Sequence, residues 1–143
     1  MNKISKYIIT ISLILIAAST YLFASGQTET KEETMTEAPT AEYHKIDAET
    51  AKNIFDTQDD IIIIDVRTKG EYESGHVENS INIPLDVITS TVTEQFPNKD
   101  EKLYVYCRSG NRSAQAAKLL VKAGYTNVYD FGGIISWPYK VVI

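Results

Sequence analysis

The sequence predicts an α/β domain built on a mostly parallel central sheet with helices on both faces. Three observations carry this reading. Ile61-Ile62-Ile63-Ile64 is a β-branched run without polar alternation, as expected of a strand covered on both faces. Leu103-Tyr104-Val105-Tyr106 and Asn127-Val128-Tyr129-Asp130-Phe131 are two further strand-like runs, and between them apolar residues recur at helical spacing. A strand, a helix and a strand in succession form the local unit of a parallel sheet.

Taken from the amino end, Lys3 and Lys6 precede residues 7–28, which carry no charged side chain and have their apolar heart at 8–18. A basic flank before a short apolar run has the pattern of an export signal. The flank stays in the cytoplasm and the chain beyond the apolar run crosses the membrane. Residues 1–26 are assigned to this signal. Ala24-Ser25-Gly26 presents small residues where a signal peptidase reads them, yet the uncharged run also reaches the roughly 20 residues of a spanning helix. Cleaved signal and retained anchor both stand. The expected location is extracytoplasmic, periplasmic or secreted, with membrane contact only through residues 1–26 if they stay attached. Residues 27–43 place five glutamates (Glu29, Glu32, Glu33, Glu37 and Glu42) against Lys31 alone, among threonines and Pro39. Such a segment cannot bury enough apolar surface to offset its ordering entropy, so an acidic, disordered linker is expected. Residues 44–143 form the domain, and no internal repeat is visible.

Within the domain, Asp47 is expected to cap a helix over 47–55 with Ala51, Ile54 and Phe55 inward. The strand at 61–64 comes next. Residues 80–83 are expected as a short strand ended by Pro84, and a helical stretch then leads to the turn Pro97-Asn98-Lys99-Asp100. After the strand at 103–106, Ala114, Ala117, Leu120 and Val121 face inward while Gln115, Lys118 and Lys122 share the wet side, and Gly124 stops the helix. Tyr104 and Tyr106 alternate in their strand and are expected on a core or half-buried face.

Composition narrows the functions open to this domain. The protein carries 19 acidic and 14 basic side chains, a net charge of −5 and a pI near 5.0. Nucleic-acid binding needs basic surface, so no such partner is expected. With Cys107 as the single cysteine, and two histidines in all, neither an internal disulfide nor a structural zinc site can be assembled.

In open α/β sheets, ligands gather at the carboxyl ends of the strands, and Cys107 falls at that end of its strand. It opens the heptapeptide Cys107-Arg108-Ser109-Gly110-Asn111-Arg112-Ser113. A short loop between a strand and a helix start must curl, and Gly110 and Asn111 tolerate the left-handed backbone this demands. Curling turns successive backbone N–H groups inward. With a helix N-terminus behind them and two arginines beside them, they form an anion site. The anion is expected to be the Cys107 sulfur, whose thiol pKa of about 8.5 falls to between roughly 3.5 and 7.5 in such surroundings.

Four stretches together carry a resemblance: the cysteine loop, Ile64-Asp65-Val66-Arg67, the segment from Gly75-His76-Val77 to Asn82-Ile83-Pro84, and Gly132-Gly133-Ile134-Ile135-Ser136-Trp137. In this order, around a cysteine at a strand end, they make residues 44–143 resemble a single-domain rhodanese of the exported kind. The resemblance implies a compact rhodanese-like fold and a sulfurtransferase. In that family a cysteine takes a sulfane sulfur from thiosulfate, a persulfide or a polysulfide, and passes it to cyanide or a thiol. Carried onto this chain, Cys107 is the sulfur carrier, and the backbone N–H groups of Arg108, Ser109, Gly110, Asn111, Arg112 and Ser113 cradle the persulfide. No metal and no organic cofactor is implied. The partners implied are a small-molecule sulfur donor and a thiol or cyanide acceptor, a protein acceptor being compatible, and a monomer is expected.

Asp65 and Arg67 are expected to support the loop as a pair, and His76 to make a structural hydrogen bond. Trp137, with Gly132 and Gly133, is expected to supply packing and a tight turn. Related phosphatases carry an arginine where this chain has Ser113; Arg112 arrives one residue early, so a smaller ring suited to sulfur is expected. Two departures stand out. Where two-domain relatives that turn over thiosulfate well tend to carry cations, this chain has Glu71 and Ser109. Glu71 is expected to repel a dianionic donor, with Arg108 and Arg112 available to compensate. A non-catalytic rhodanese-like binding module and a redox sensor remain open as alternatives, the latter needing a partner thiol because the chain has no resolving cysteine.

Overall fold

A computed structural model describes residues 42–143. The signal at 1–26, and all of the expected linker except Glu42 and Tyr43, lie outside the described residues. Among those described, no helix is long and apolar enough to cross a membrane.

Five strands form the main sheet: β1 (His44–Lys45), β2 (Ile62–Asp65), β4 (Ile81–Asn82), β5 (Lys102–Cys107) and β6 (Asn127–Gly133). They are parallel throughout, in the order β1-β6-β5-β2-β4. A second, antiparallel pair joins β3 (His76–Val77) to β7 (Val141–Val142). Helices α1 (Ala48–Thr57), α2 (Lys69–Glu73), α3 (Ile88–Gln95) and α4 (Asn111–Lys122) complete the domain, with 3-10 turns at Leu85–Val87, leading into α3, and at Ile134–Ser136.

The central place of β5 explains why its sequence shows no polar alternation. Successive side chains point to opposite faces, and both faces are covered. Leu103, Val105 and Cys107 join Ile64, Val66 and Val128 in a cluster closed by Ile88 and Val92 of α3 and by Ala116, Ala117 and Leu120 of α4. Tyr104 and Tyr106 turn the other way, into a cluster with Ile63, Phe131, Trp137 and Ala51 of α1. The expected helices on both faces are present.

Local chemistry sets the ends of these elements. The Asp47 carboxylate accepts the Thr50 N–H at 2.7 Å and caps α1. Gly124, just past α4, takes a left-handed φ of +96°, which is open to glycine at little cost. Ala116, absent from the expected inward face of α4, is fully buried, whereas Ala114 is only half-buried. The expected strand at 80–83 pairs only over Ile81–Asn82. Tyr43, assigned from sequence to the linker, packs against the core. The elements with no sequence expectation are β1, β3, β7 and α2, each of five residues or fewer, too short for a hydrophobic period to register.

Candidate active site

Cys107 ends β5 on the face covered by α4 and is 1% exposed. The chain leaves it through Arg108 and Ser109, reverses at Gly110 with φ +98°, and enters α4. Asn111, expected to share the left-handed turn, does not: the one non-glycine residue of positive φ among those described is Asn79. Gly110 makes the reversal alone, which leaves Asn111 free to open the helix.

The reversal brings the Gly110 N–H to 3.0 Å from the Cys107 Sγ, toward which it donates. Burial pushes the thiol up, but the amides of Ser113, Gly110 and Ser109 and the Ser113 hydroxyl outweigh it, leaving the thiol below its ordinary value. The single Ser113 hydroxyl proton has carbonyls to hand, Gly110 at 3.0 Å and Gly132 at 3.2 Å. The amides are therefore the steadier donors to sulfur. Ser113 is fully buried, so the position that an arginine fills in phosphatases here ties the loop to the Gly132 turn.

That turn braces the loop from below. A Cβ on Gly133 would lie 2.4 Å from the Arg108 carbonyl oxygen and 2.6 Å from the Ser109 Cα, so only glycine admits this approach. The Ile135 N–H also donates to the Arg108 carbonyl at 3.2 Å. Trp137 serves packing, as expected, with its ring centroid 5.5 Å from that of Phe131 and 5.0 Å from that of Tyr139.

Asp65 and Arg67 form a buried pair. The Arg67 Nη2 donates to Asp65 Oδ2 at 2.6 Å and to the Gly75 carbonyl at 2.7 Å, while Nε bridges both carboxylate oxygens. Neither side chain bonds to the Cys107 loop; the pair latches the start of β3 to the main sheet. His76 stacks on Tyr72 with centroids 3.8 Å apart, and its Nδ1 lies 3.1 Å from the Tyr72 carbonyl. It makes the structural contact expected of it and none to the loop.

Glu71 and Arg112, residues 41 apart, meet at the mouth of the site in a two-pronged pair, Nη1 to Oε2 at 2.8 Å and Nη2 to Oε1 at 2.7 Å. The Thr68 N–H and hydroxyl hold Oε2 from the other side at 3.0 and 2.9 Å, closing a capping box on α2. The Arg112 guanidinium brings the Glu71 carboxyl down to about 2. Glu71 thus neutralises Arg112, and of the two arginines expected to compensate it, Arg108 alone remains exposed and unpaired among the described residues. Arg112 borders a 270 Å³ pocket with Val66, Thr68, Pro84, Leu85 and Asp86. A separate 750 Å³ groove runs along Ser109, Gly110 and Asn111 toward Asp47 and Tyr139. Among the described residues no cluster of histidine, cysteine and carboxylate side chains is placed to hold a metal.

A thiol ringed by amides thus sits at the carboxyl end of a parallel sheet, and the pattern of the rhodanese-like domain matches residues 47–138. The chain belongs to the rhodanese-like family. It is 39% identical over 71 residues to the thiosulfate sulfurtransferase PspE of Escherichia coli, covering 50% of this chain and 68% of that relative. It is 35% identical over 95 residues to a sulfurtransferase of Allochromatium vinosum, covering 66% and 87%. Among solved structures, a rhodanese with anions from E. coli superposes with a TM-score of 0.54 at 36% identity, over 57% of this chain and 95% of that one. Rhodanese membership and these relatives support sulfur transfer as the general activity.

Within this rhodanese domain the structure brings Cys107, Ser109, Gly110 and Ser113 together, and places Arg108 and Arg112 on the rim. Asp65, Arg67 and His76 sit in a supporting layer. Sequence reasoning missed the Glu71–Arg112 pair and the contact of Gly133 with the loop. The Gly132-Gly133 doublet was a usable sign of the second; no local sign exists for the first, since its partners lie on different elements.

Proposed function

We propose that this protein is a rhodanese-type sulfurtransferase acting through a Cys107 persulfide. The observation that carries the reading is the Cys107 thiol, buried yet held below its ordinary value by inward-facing amides. In the first step the Cys107 thiolate attacks a sulfane sulfur of thiosulfate, a persulfide or a polysulfide. The sulfur–sulfur bond of the donor breaks, its electron pair leaves with sulfite or the donor thiolate, and a Cys107 persulfide forms. In the second step cyanide or a thiolate attacks the outer sulfur and the Cys107 thiolate departs. The amides of Ser109, Gly110 and Ser113 hold the charge that returns to sulfur each time, and Arg108 and Arg112 frame the entrance. Asp65, Arg67 and His76 act only by fixing the surrounding backbone.

The protein is further proposed to work outside the cytoplasm, delivered by residues 1–26 and spaced from the membrane by an acidic linker. N-terminal sequencing of the mature protein distinguishes a cleaved signal from a retained anchor. For the activity, the reduced protein is incubated with thiosulfate or an organic persulfide. A one-sulfur adduct on Cys107 in the intact mass and thiocyanate release on adding cyanide are expected, and Cys107→Ser loses both. A folded, reduced sample that yields neither would exclude the catalytic reading and leave the binding module.

A further inference from the structure

We propose that the sulfur donor is an organic persulfide with an uncharged body, and that the Glu71–Arg112 pair together with Asp86 is what discriminates against thiosulfate. The inference rests on the sulfurtransferase reading above and specifies its donor.

Two independent observations lead there. The first is charge. Arg112 gives both Nη groups to Glu71 at 2.8 and 2.7 Å, and Thr68 fixes the carboxylate from behind, so the pair is held as a unit and Arg112 is not free for an incoming anion. Asp86, exposed and without a hydrogen bond among the described residues, lines the pocket that Arg112 borders. With Glu71 it sets two carboxylates against the two arginines of the rim. The entrance therefore lacks the surplus positive charge that would draw a dianion, and inside, the amide ring answers one negative charge on one sulfur. Thiosulfate brings two charges and must release a doubly charged sulfite. A persulfide brings at most one.

The second observation is shape and polarity. The 270 Å³ pocket beside Arg112 has Val66, Pro84 and Leu85 for walls. It adjoins the reacting strand end, because the Val66 N–H donates to the carbonyl of Tyr106, the residue before Cys107, at 3.0 Å, and the Leu85 N–H donates to the Val66 carbonyl at 3.3 Å. A liquid water occupies about 30 Å³, so the space admits several carbon atoms. Apolar walls favour a carbon body, and the donors at their edge, the Thr68 hydroxyl and the two Nη groups of Arg112, are already committed to Glu71. Specificity of this kind comes as much from repelling the wrong substrate as from holding the right one.

The chemistry balances without a further reactant. The Cys107 thiolate attacks the terminal sulfur of R–S–SH and a new sulfur–sulfur bond forms. The bond to R–S breaks, its electron pair leaves as the thiolate R–S⁻, and the proton stays with the transferred sulfur. No net oxidation occurs.

The test compares kcat/KM of the full chain for thiosulfate and for the persulfide of N-acetylcysteine methyl ester, whose body is uncharged, with the sulfur adduct on Cys107 followed by intact mass. The organic persulfide is expected to be preferred. Glu71→Gln, which frees Arg112, and Asp86→Lys, which adds charge at the pocket edge, are each expected to move the ratio of the two constants at least threefold toward thiosulfate. Asp86 is exposed, so its variant keeps the test decisive if Glu71→Gln, which loses a capping interaction, does not fold. A native preference for thiosulfate, or a ratio that moves less than threefold in a folded variant, overturns the donor assignment while leaving sulfur transfer intact. An absence of adduct from either donor overturns both.

Discussion

Cys107 belongs to a buried apolar cluster with Ile64, Val66 and Ala116, company that ordinarily makes a thiol harder to ionise. The opposite outcome here depends on amides that cannot relax away, because they belong to a loop clamped by Gly133 and Ser113. The alkylation rate of Cys107 by iodoacetamide is therefore expected to reach half its maximum below the ordinary thiol value of about 8.5, and to fall off as pH drops through the lowered value. Burial slows the absolute rate, and its upward push on the midpoint is outweighed by the amides. Glu71 offers a second titration. Its folded value of about 2 lies below that of a free glutamate, about 4.3. The stabilisation it contributes is thus complete above pH of about 4.3 and is lost as pH falls toward about 2. The pair is about a third exposed, 31% on each side, so its worth after solvent screening is about 1 kcal/mol or less. Glu71→Gln is expected to flatten the stability curve in that window by this amount, measured by urea unfolding at a series of pH values.

The β6–β7 connection and the β3 segment show how supporting structure governs the loop. Gly133→Ala would force a Cβ into the Arg108 carbonyl. Overpacking of this kind costs about 1–3 kcal/mol, and relief by lifting the loop would also raise the Cys107 thiol. A matched loss of urea stability and of thiol reactivity is the expected signature. Arg67→Ala leaves the Asp65 carboxylate, fully buried, without its cation, and breaking such a pair costs about 3–5 kcal/mol. The same change frees the Gly75 carbonyl, so hydrogen exchange at β3 and β7 is expected to accelerate more than at β5. Helix α4 is readable from its apolar spacing and its glycine stop. The β3–β7 pairing is not, since two-residue strands from distant parts of the chain, His76 set against Val142 and Val77 against Val141, carry no periodic mark.

The two apolar clusters share one sheet, and this makes the domain a single cooperative unit. Leu120→Ala in one cluster is expected to cost about 2–5 kcal/mol. The loss should appear equally in far-UV circular dichroism and in the fluorescence of Trp137, the sole tryptophan, which is buried in the other cluster. Separate transitions from the two probes would contradict a shared core. Much of this architecture is written in patterns along the chain: buried runs at β2, β5 and β6, a capped α1, an amphipathic α4, and a lone cysteine where a parallel strand ends. Those patterns are local, because propensity, capping and periodicity act over a few residues. The strand order, the grip of Gly133 on the loop and the pairing of Glu71 with Arg112 belong to another class. Each joins segments distant in sequence, and only the packed chain sets which of many compatible partners meet. The linear order of residues was sufficient to point to a reactive sulfur, whereas the charge balance at its entrance emerged only from folding in three dimensions.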